Sequence, residues 1–398
     1  MNESAARIKH IDGVRALAVV SVLLYHSTSS LPHAFWFFEG RHGVDLFFVI
    51  SGFCLSYPTL NSIARSGIAV FDVPSFFAKR AVRIAPPYFA AIIAFVILTA
   101  VLLALRVPLP ETVRAISPLD IFKQFLFFDY NENFSNSSFW TLAVEARWYL
   151  LFPFVLWLWI NKRKAFWLAA ALSFSLYHFT RIGGTDFFSA GIDFATLPAF
   201  MLGIFAADLH VRSDSRARYA VWFLPLLLLP TFLVRHSGHF VQDTLDWQLI
   251  SVCVLVTIGH YKGLARIFSW GPWAFIGISS YSIYLYHQPV IEMLEGTLHV
   301  AWPAATLISL ATGIIAWYAI ERRLQSPAIR SAWVADMRTV CFTLFRRLDL
   351  PEQTILKGNT LSPDAAAIPR ALNQIVIRAT PSHVGNFGIG HAIPKPEL

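Results

Sequence analysis

The sequence predicts an all-α, polytopic integral membrane protein with about ten transmembrane helices and both termini cytoplasmic. Three observations carry that prediction. Of 398 residues, 56% are hydrophobic and only 14% charged, with a mean hydropathy of +0.54. Apolar runs recur at roughly 20-residue spacing along most of the chain, the length a helix needs to cross a bilayer. Basic residues collect in alternate connections between those runs. A water-soluble all-α protein would carry polar faces along the same runs, and here they are missing.

The first run, Ile11–His26, opens a span over 12–30 yet carries Arg15 near its start and His26 near its end. Eleven residues of α-helix advance three turns plus about 20° and rise roughly 16 Å. Arg15 and His26 therefore share one face, about half a bilayer apart. The basic residues Arg7 and Lys9 before the run resemble a leader in outline, but no small-residue cleavage site follows before Glu39-Gly40-Arg41. We read it as a retained first span.

Further spans follow at 43–60, 85–105, 139–160, 165–180, 192–209, 219–234, 247–261, 276–296 and 302–320. The eighth, Trp247–Tyr261, is short enough to be tilted or re-entrant. With the N-terminus in the cytoplasm, inner segments hold Arg65, Lys79, Arg80, Arg83, Lys162–Lys164, Arg212, Arg216, Arg218, Lys262, Arg266, Arg322, Arg323 and Arg330. Outer loops hold few basic residues. The net charge of +8 is thereby explained by topology and anionic lipid, and nucleic acid is not needed. Cys54, Cys253 and Cys341 are scattered, without disulfide or metal spacing, and no metal site is expected.

Pro74–Pro87 mixes aromatic and basic residues, like an interfacial helix leading into the third span. The long outer loop Leu105–Ser138 carries an apolar, aromatic patch over Asp120–Tyr130 and suits an acceptor site. The membrane domain extends over 1–330. Within the tail, 331–398, the first part, Ser331–Leu350, suits the inner leaflet, and disorder is the expectation from Pro351.

Depth then sorts the polar residues. His26, Asp45 and Glu145 fall at similar heights in the outer half of spans one, two and four. Arg15 falls near Arg80 and Arg83 at the inner face. Ionisable groups inside spans are costly and usually line a site or path. An imidazole hydrogen-bonded to a carboxylate is a general base for a hydroxyl, and clustered guanidinium groups suit phosphates. A phosphate-bearing donor inside and a hydroxyl acceptor outside would make a transfer enzyme working across the bilayer. Plainer readings stand beside these. His26 can be a helix–helix hydrogen-bonding group, Asp45 can face headgroups, and Glu145 can pair with Arg147 or Arg181. Arg80 and Arg83 can be interfacial anchors, Ser51-Gly52 a close-packing pair, and His287 a core histidine beside Pro289.

Five stretches in order resemble the integral-membrane acyltransferases of acyltransferase family 3, bacterial enzymes that O-acylate sugars and related acceptors. They are Arg15 with His26, the run Gly43–Phe53, the segment Arg80–Tyr88, Trp140–Glu145 with Tyr149, and Ser280–Pro289 with its Tyr-Leu-Tyr-His core. The resemblance covers about 11–330. It implies an acyl-CoA co-substrate, most often acetyl-CoA, in place of a bound cofactor. It implies an inner-membrane location and a sugar or glycan acceptor such as O-antigen, lipopolysaccharide or exopolysaccharide. His26, Asp45 and Glu145 would form the catalytic centre. Arg15, Arg80, Arg83, Ser51, Trp140, Tyr149 and His287 would bind substrate. Larger members add an extracytoplasmic esterase-like domain after the tenth span, and this sequence departs from them there. The rival class is a proton-coupled transporter or flippase, disfavoured because the intramembrane charges crowd into spans one, two and four without a matching set in the second half. The sequence sets no oligomeric state.

Overall fold

The computed structural model describes residues 8–28, 31, 38–107, 118–127, 136–182, 188–234, 240–348 and 353–357, all inside one compact unit, Met1–Asn359. The first helices are α1 (Lys9–Thr28), α2 (Gly43–Ser66), α3 (Val73–Ala104), the short α4 (Pro118–Phe125) and α5 (Trp140–Asn161). Next come α6 (Arg163–Ile182), α7 (Phe188–Val211), α8 (Ala220–Val234), α9 (Phe240–His260) and α10 (Lys262–Phe268). The series ends with α11 (Gly271–Ile278), α12 (Ser280–Glu292), α13 (Trp302–Ala316), α14 (Arg322–Leu324) and α15 (Pro327–Arg347). Two strands, β1 (Ile68–Asp72) and β2 (Gln353–Lys357), pair antiparallel, with Ile68 opposite Lys357.

The described parts of the expected spans are largely helical, the ninth, 276–296, being divided between α11 and α12. Among the described residues five helices are long and apolar enough to cross a membrane, or six if a bent pair counts as one span. That pair is Leu245–His260 with Lys262–Phe268, bent by 103° where the eighth run was expected to be irregular. Apolar side chains that face outward include Ile93, Ile97 and Val101 on α3, Leu150 and Phe154 on α5, and Trp222 and Leu226 on α8. Water would penalise such a surface and lipid does not, so the fold is that of an all-α membrane protein with one small ribbon.

Pro74–Pro87 is the first part of α3, which runs unbroken from Val73 to Ala104 and so into the third span as expected. Asp72 caps it, its carboxylate accepting from the Ser75 amide (2.9 Å) and hydroxyl (2.7 Å). One expectation changes. The tail is not wholly free of structure: Gln353–Lys357 lies beyond Pro351 and still forms β2. A strand needs a partner edge, and β1 supplies one that a reading of local composition misses. The remainder of the expected tail, 358–398, lies outside the described residues.

Prolines organise the packing. A proline inside a helix removes the amide that would satisfy the carbonyl four residues earlier, so that carbonyl must find another donor. Pro86 and Pro87 free the carbonyls of Val82 and Arg83, and Gln325 Nε2 donates to both, at 2.8 and 3.3 Å. Pro289 frees Leu285 O, which accepts from Asn136 Nδ2 at 2.6 Å. Pro198 frees Phe194 O, which accepts from Ser173 Oγ at 2.8 Å. Each such bond ties a helix to a distant segment. Elsewhere α2 and α7 cross at backbone distance: a Cβ on Gly52 would overlap Phe200 O, and one on Gly203 would overlap Val49 O.

Candidate active site

α1 and α3 run one way and α2 and α5 the other, which sets the heights of the side chains they bring together. A cavity of about 130 Å³ is lined by Arg15 from α1, Ser51 and Cys54 from α2, and Arg80 and Arg83 from α3. Thr141, Glu145 and Tyr149 from α5 and Ser280, Tyr281 and Tyr284 from α12 complete its polar wall. Near its middle the Ser51 hydroxyl donates to Glu145 Oε1 at 2.8 Å, and the Tyr149 hydroxyl donates to the same oxygen. Arg15 Nη2 lies 3.6 Å from Cys54 Sγ, and Arg15 Nη1 lies 3.9 Å from Asp12. Arg83 lies 3.7 Å from the buried carboxylate of Glu321, which also accepts from the Ser282 hydroxyl at 2.6 Å. Arg80 Nε is buried and makes no hydrogen bond among the described residues.

Behind Tyr284 lies a pair of imidazoles. Tyr284 lines the cavity, accepts from Thr141 Oγ1 at 2.9 Å, and packs its ring 5.2 Å from that of His287. The His287 ring in turn lies 5.1 Å from that of His26. His287 Nδ1 is 2.6 Å from Tyr284 O, and a carbonyl only accepts, so the proton is assigned to Nδ1 and Nε2 keeps its lone pair. Nε2 faces Ser138 Oγ at 3.5 Å, and that hydroxyl donates to Gln288 Oε1 at 2.5 Å. Gln288 Nε2 then donates to Glu292 Oε1 at 2.9 Å.

The structure thus brings Arg15, Arg80, Arg83, Ser51, Glu145 and Tyr149 to one cavity and His26 to His287 beside it. Two placements differ from the sequence reading. Glu145 sits with the arginines of the basic end rather than in an outer cluster. The Asp45 carboxylate takes His42 Nδ1 at 2.8 Å and faces Gln248 Nε2 on α9 at 3.5 Å. Azimuth was not legible: Asp45 lies about 240° around the helix from Ser51 and so points toward α9. Trp140 opens α5 and packs against two parts of the apolar core.

Sequence reasoning missed His42, whose ring stacks on Trp247 at 4.9 Å, together with Cys54, Tyr284 and Glu321. Only Glu321 left a usable signal, as an acidic residue closing the last apolar run just before two arginines. A second cavity, about 260 Å³, lies among His10, His210 and His260 at the ends of α1, α7 and α9. Among the described residues its lining holds no arginine or lysine, so it lacks the phosphate chemistry of the first.

Residues 8–322 match the family model for the acyltransferase domain of acyltransferase family 3, and the chain belongs to that family. Its relatives include the peptidoglycan O-acetyltransferase OatA of Listeria monocytogenes, 25% identical over 365 residues, and the O-acetyltransferase OatA of Staphylococcus aureus, 27% identical over 317. The alignments cover 82% and 72% of this chain but only 56% and 51% of those proteins. The chain therefore spans about half the length of the relatives it matches. No solved structure matches it.

Proposed function

We propose that this member of the acyltransferase family moves an acyl group, most simply acetyl, from acyl-CoA to a hydroxyl of an extracytoplasmic or lipid-linked sugar. O-antigen, exopolysaccharide and peptidoglycan are acceptors of that kind. The observation that carries the reading is one cavity that holds Arg15, Arg80 and Arg83 with Glu145, Tyr149 and Tyr284, the last of which packs its ring on His287, itself beside His26. Guanidinium groups of Arg80 and Arg83 would hold donor phosphates at the basic end, which the charge pattern assigns to the cytoplasm. The thioester arm would lie along the Glu145–Tyr149 wall and bring its carbonyl toward Tyr284.

In this scheme His26 takes the proton of the acceptor hydroxyl as its oxygen attacks the thioester carbonyl. The C–S bond breaks, the ester forms, and the CoA thiolate leaves with a proton returned from the imidazolium. His287 replaces Asp45 as the partner of His26, because the two rings pack 5.1 Å apart while Asp45 is held by His42. Asp45, held by His42, then serves the outer rim where the acceptor enters. Glu145 fixes Tyr149 and Ser51 and balances the arginine charge between turnovers.

The test uses the full chain in nanodiscs with radiolabelled acetyl-CoA and a crude envelope glycan fraction. Wild type should transfer label, and His26→Ala, with protein level matched, should lose at least about 100-fold, the usual scale of a general base. Unchanged transfer by His26→Ala would remove the imidazole from the chemistry. Absence of any thioester turnover by wild type with every envelope fraction would favour proton-coupled transport of a polar or lipid-linked substrate instead.

A further inference from the structure

Helix α15 presents three faces. Along one flank Val334, Cys341 and Phe345 are half-buried, and the Phe345 ring packs 5.9 Å from that of Phe77 on α3. Arg338 ties the same flank to α3, its Nη2 3.1 Å from Asp72 Oδ2 and its Nε donating to Ser75 Oγ at 2.7 Å. A second face, with Ala335, Thr339 and Thr343, is exposed and suits water. The third carries Ile329, Trp333, Met337, Val340 and Leu344, continued by Leu348 at the C-cap, and all six are exposed. At about 100° per residue these six fall within a stripe about 100° wide, next to the docked flank. Water penalises such a row of large apolar side chains, and a partner that removes them from water is favoured.

The level of α15 follows from the helix it docks on. α3 has 32 residues, about 48 Å at 1.5 Å per residue, against roughly 30 Å of hydrocarbon. Its outward-facing Ile93, Ile97, Val101 and Leu103 reach to its far end, so the surplus of about 18 Å falls at its start. That start is where α15 is held, by Arg338 on Asp72 and Ser75 and by Gln325 on Val82 and Arg83. Helix α15 therefore lies at the membrane boundary, the level at which an amphipathic helix seats its apolar face and a tryptophan such as Trp333 is favoured.

Charge selects among the partners that fit the stripe. Arg330 and Arg347 are exposed at its two edges. A second copy laid on the stripe, parallel or antiparallel, would bring these like charges together. The segment 358–398 carries Arg370, Arg378 and Lys395 against Asp364 and Glu397, so it too is basic and offers no complement. A leaflet rich in anionic lipid matches both the apolar stripe and its basic edges.

We propose that this face of α15 docks on the anionic leaflet of the bilayer, with the stripe from Ile329 to Leu348 among the acyl chains and Arg330 and Arg347 on headgroup phosphates. The inference stands apart from the acyl-transfer reading.

The experiment places a nitroxide at one position at a time, through Val340→Cys, Leu344→Cys, Ala335→Cys and Thr339→Cys, in the full chain with Cys54, Cys253 and Cys341 replaced by serine. In nanodiscs of phosphatidylcholine with phosphatidylglycerol, collisions with oxygen report lipid and collisions with a soluble nickel chelate report water. Labels in place of Val340 and Leu344 should meet oxygen and be shielded from nickel, with the reverse for Ala335 and Thr339. Strong nickel collisions at all four would put the stripe in water and overturn the proposal. Shielding of the Val340 and Leu344 positions from both reagents would reveal a protein cover, a second copy or the segment 358–398, and overturn it as well. In discs of phosphatidylcholine alone the nickel collisions at those two positions should rise. Arg330→Gln with Arg347→Gln should raise them in the mixed discs, and indifference in either arm refutes the anionic assignment. The unsubstituted chain gives a second reading: hydrogen exchange over 327–347 should slow when phosphatidylglycerol is added, and equal protection in both lipids would overturn the inference.

Discussion

Glu145 Oε1 accepts two hydroxyls, from Ser51 and Tyr149, inside a cavity that also holds Arg15 and Arg80. That arrangement predicts a measurable coupling. A hydrogen bond to a charged group contributes about 1.5–3 kcal/mol and one between neutral groups about 0.5–1.5 kcal/mol. Tyr149→Phe removes one charge-assisted bond outright. Glu145→Gln keeps an acceptor oxygen, so each of its two bonds falls by about 1 kcal/mol. In the double variant the tyrosine bond is already absent, so its share of the glutamine cost vanishes. The two single costs should therefore exceed the double cost by about 1 kcal/mol, whereas independent sites add within roughly 0.3–0.5 kcal/mol. The assay is reversible unfolding of the four proteins in mixed detergent micelles, followed by tryptophan fluorescence. Additivity within that margin would refute the shared carboxylate. The same Glu145→Gln variant removes a negative charge from the cavity, so CoA should bind it no more weakly than wild type while turnover falls. Weaker CoA binding in that variant would show that Glu145 contacts the donor and does not balance the arginines.

Two further outcomes follow from the packing. Asn136→Leu leaves Leu285 O, freed by Pro289, without its donor in a buried setting, and should lower stability by about 1–3 kcal/mol in the same unfolding assay; a change under about 0.5 kcal/mol would mean the carbonyl had found another donor. At the clasp of α15, partial burial pushes the Asp72 carboxyl up, but the Ser75 amide and hydroxyl and the Arg338 guanidinium outweigh it and hold the group below its ordinary value. The stabilisation is thus present above the usual carboxylate range and is lost as pH falls through the depressed value. Hydrogen exchange across 327–347 should quicken on that descent beyond the intrinsic effect of pH, and Asp72→Asn should show the faster opening already at neutral pH. Equal protection in the variant would remove the clasp.

The helical class was legible because apolar length is a local property, and five helices, or six with the bent pair, are long and apolar enough to cross a membrane among the described residues. The grouping of Arg15 with Arg80 and Arg83 was legible from residue counting along the helices, and the cavity brings the three together, but the same counting put Glu145 with His26 and not with them. Azimuth was not legible, because it depends on which neighbour a helix face meets. Asp45 shows the difference, since one step around α2 decides between the cavity and α9. The donors that let α3 continue past Pro86 and Pro87 were not legible, because Gln325 supplies them from more than 200 residues away. The β2 strand was hidden by distance, since its partner lies nearly the whole described chain away.

That distance has a consequence for biogenesis. β1 leaves the ribosome early, and β2 follows only after all the helices between them have been made. At about 5–20 residues per second, β1 waits on the order of 15–60 s for its partner. During that interval its edge is an open template for a neighbouring nascent chain. The α15 clasp on Asp72 is equally absent until synthesis is almost finished. Closure of this ribbon is then a late checkpoint in assembly, and truncated chains that lack β2 should reach the bilayer with their helices inserted but their β1 edge unguarded.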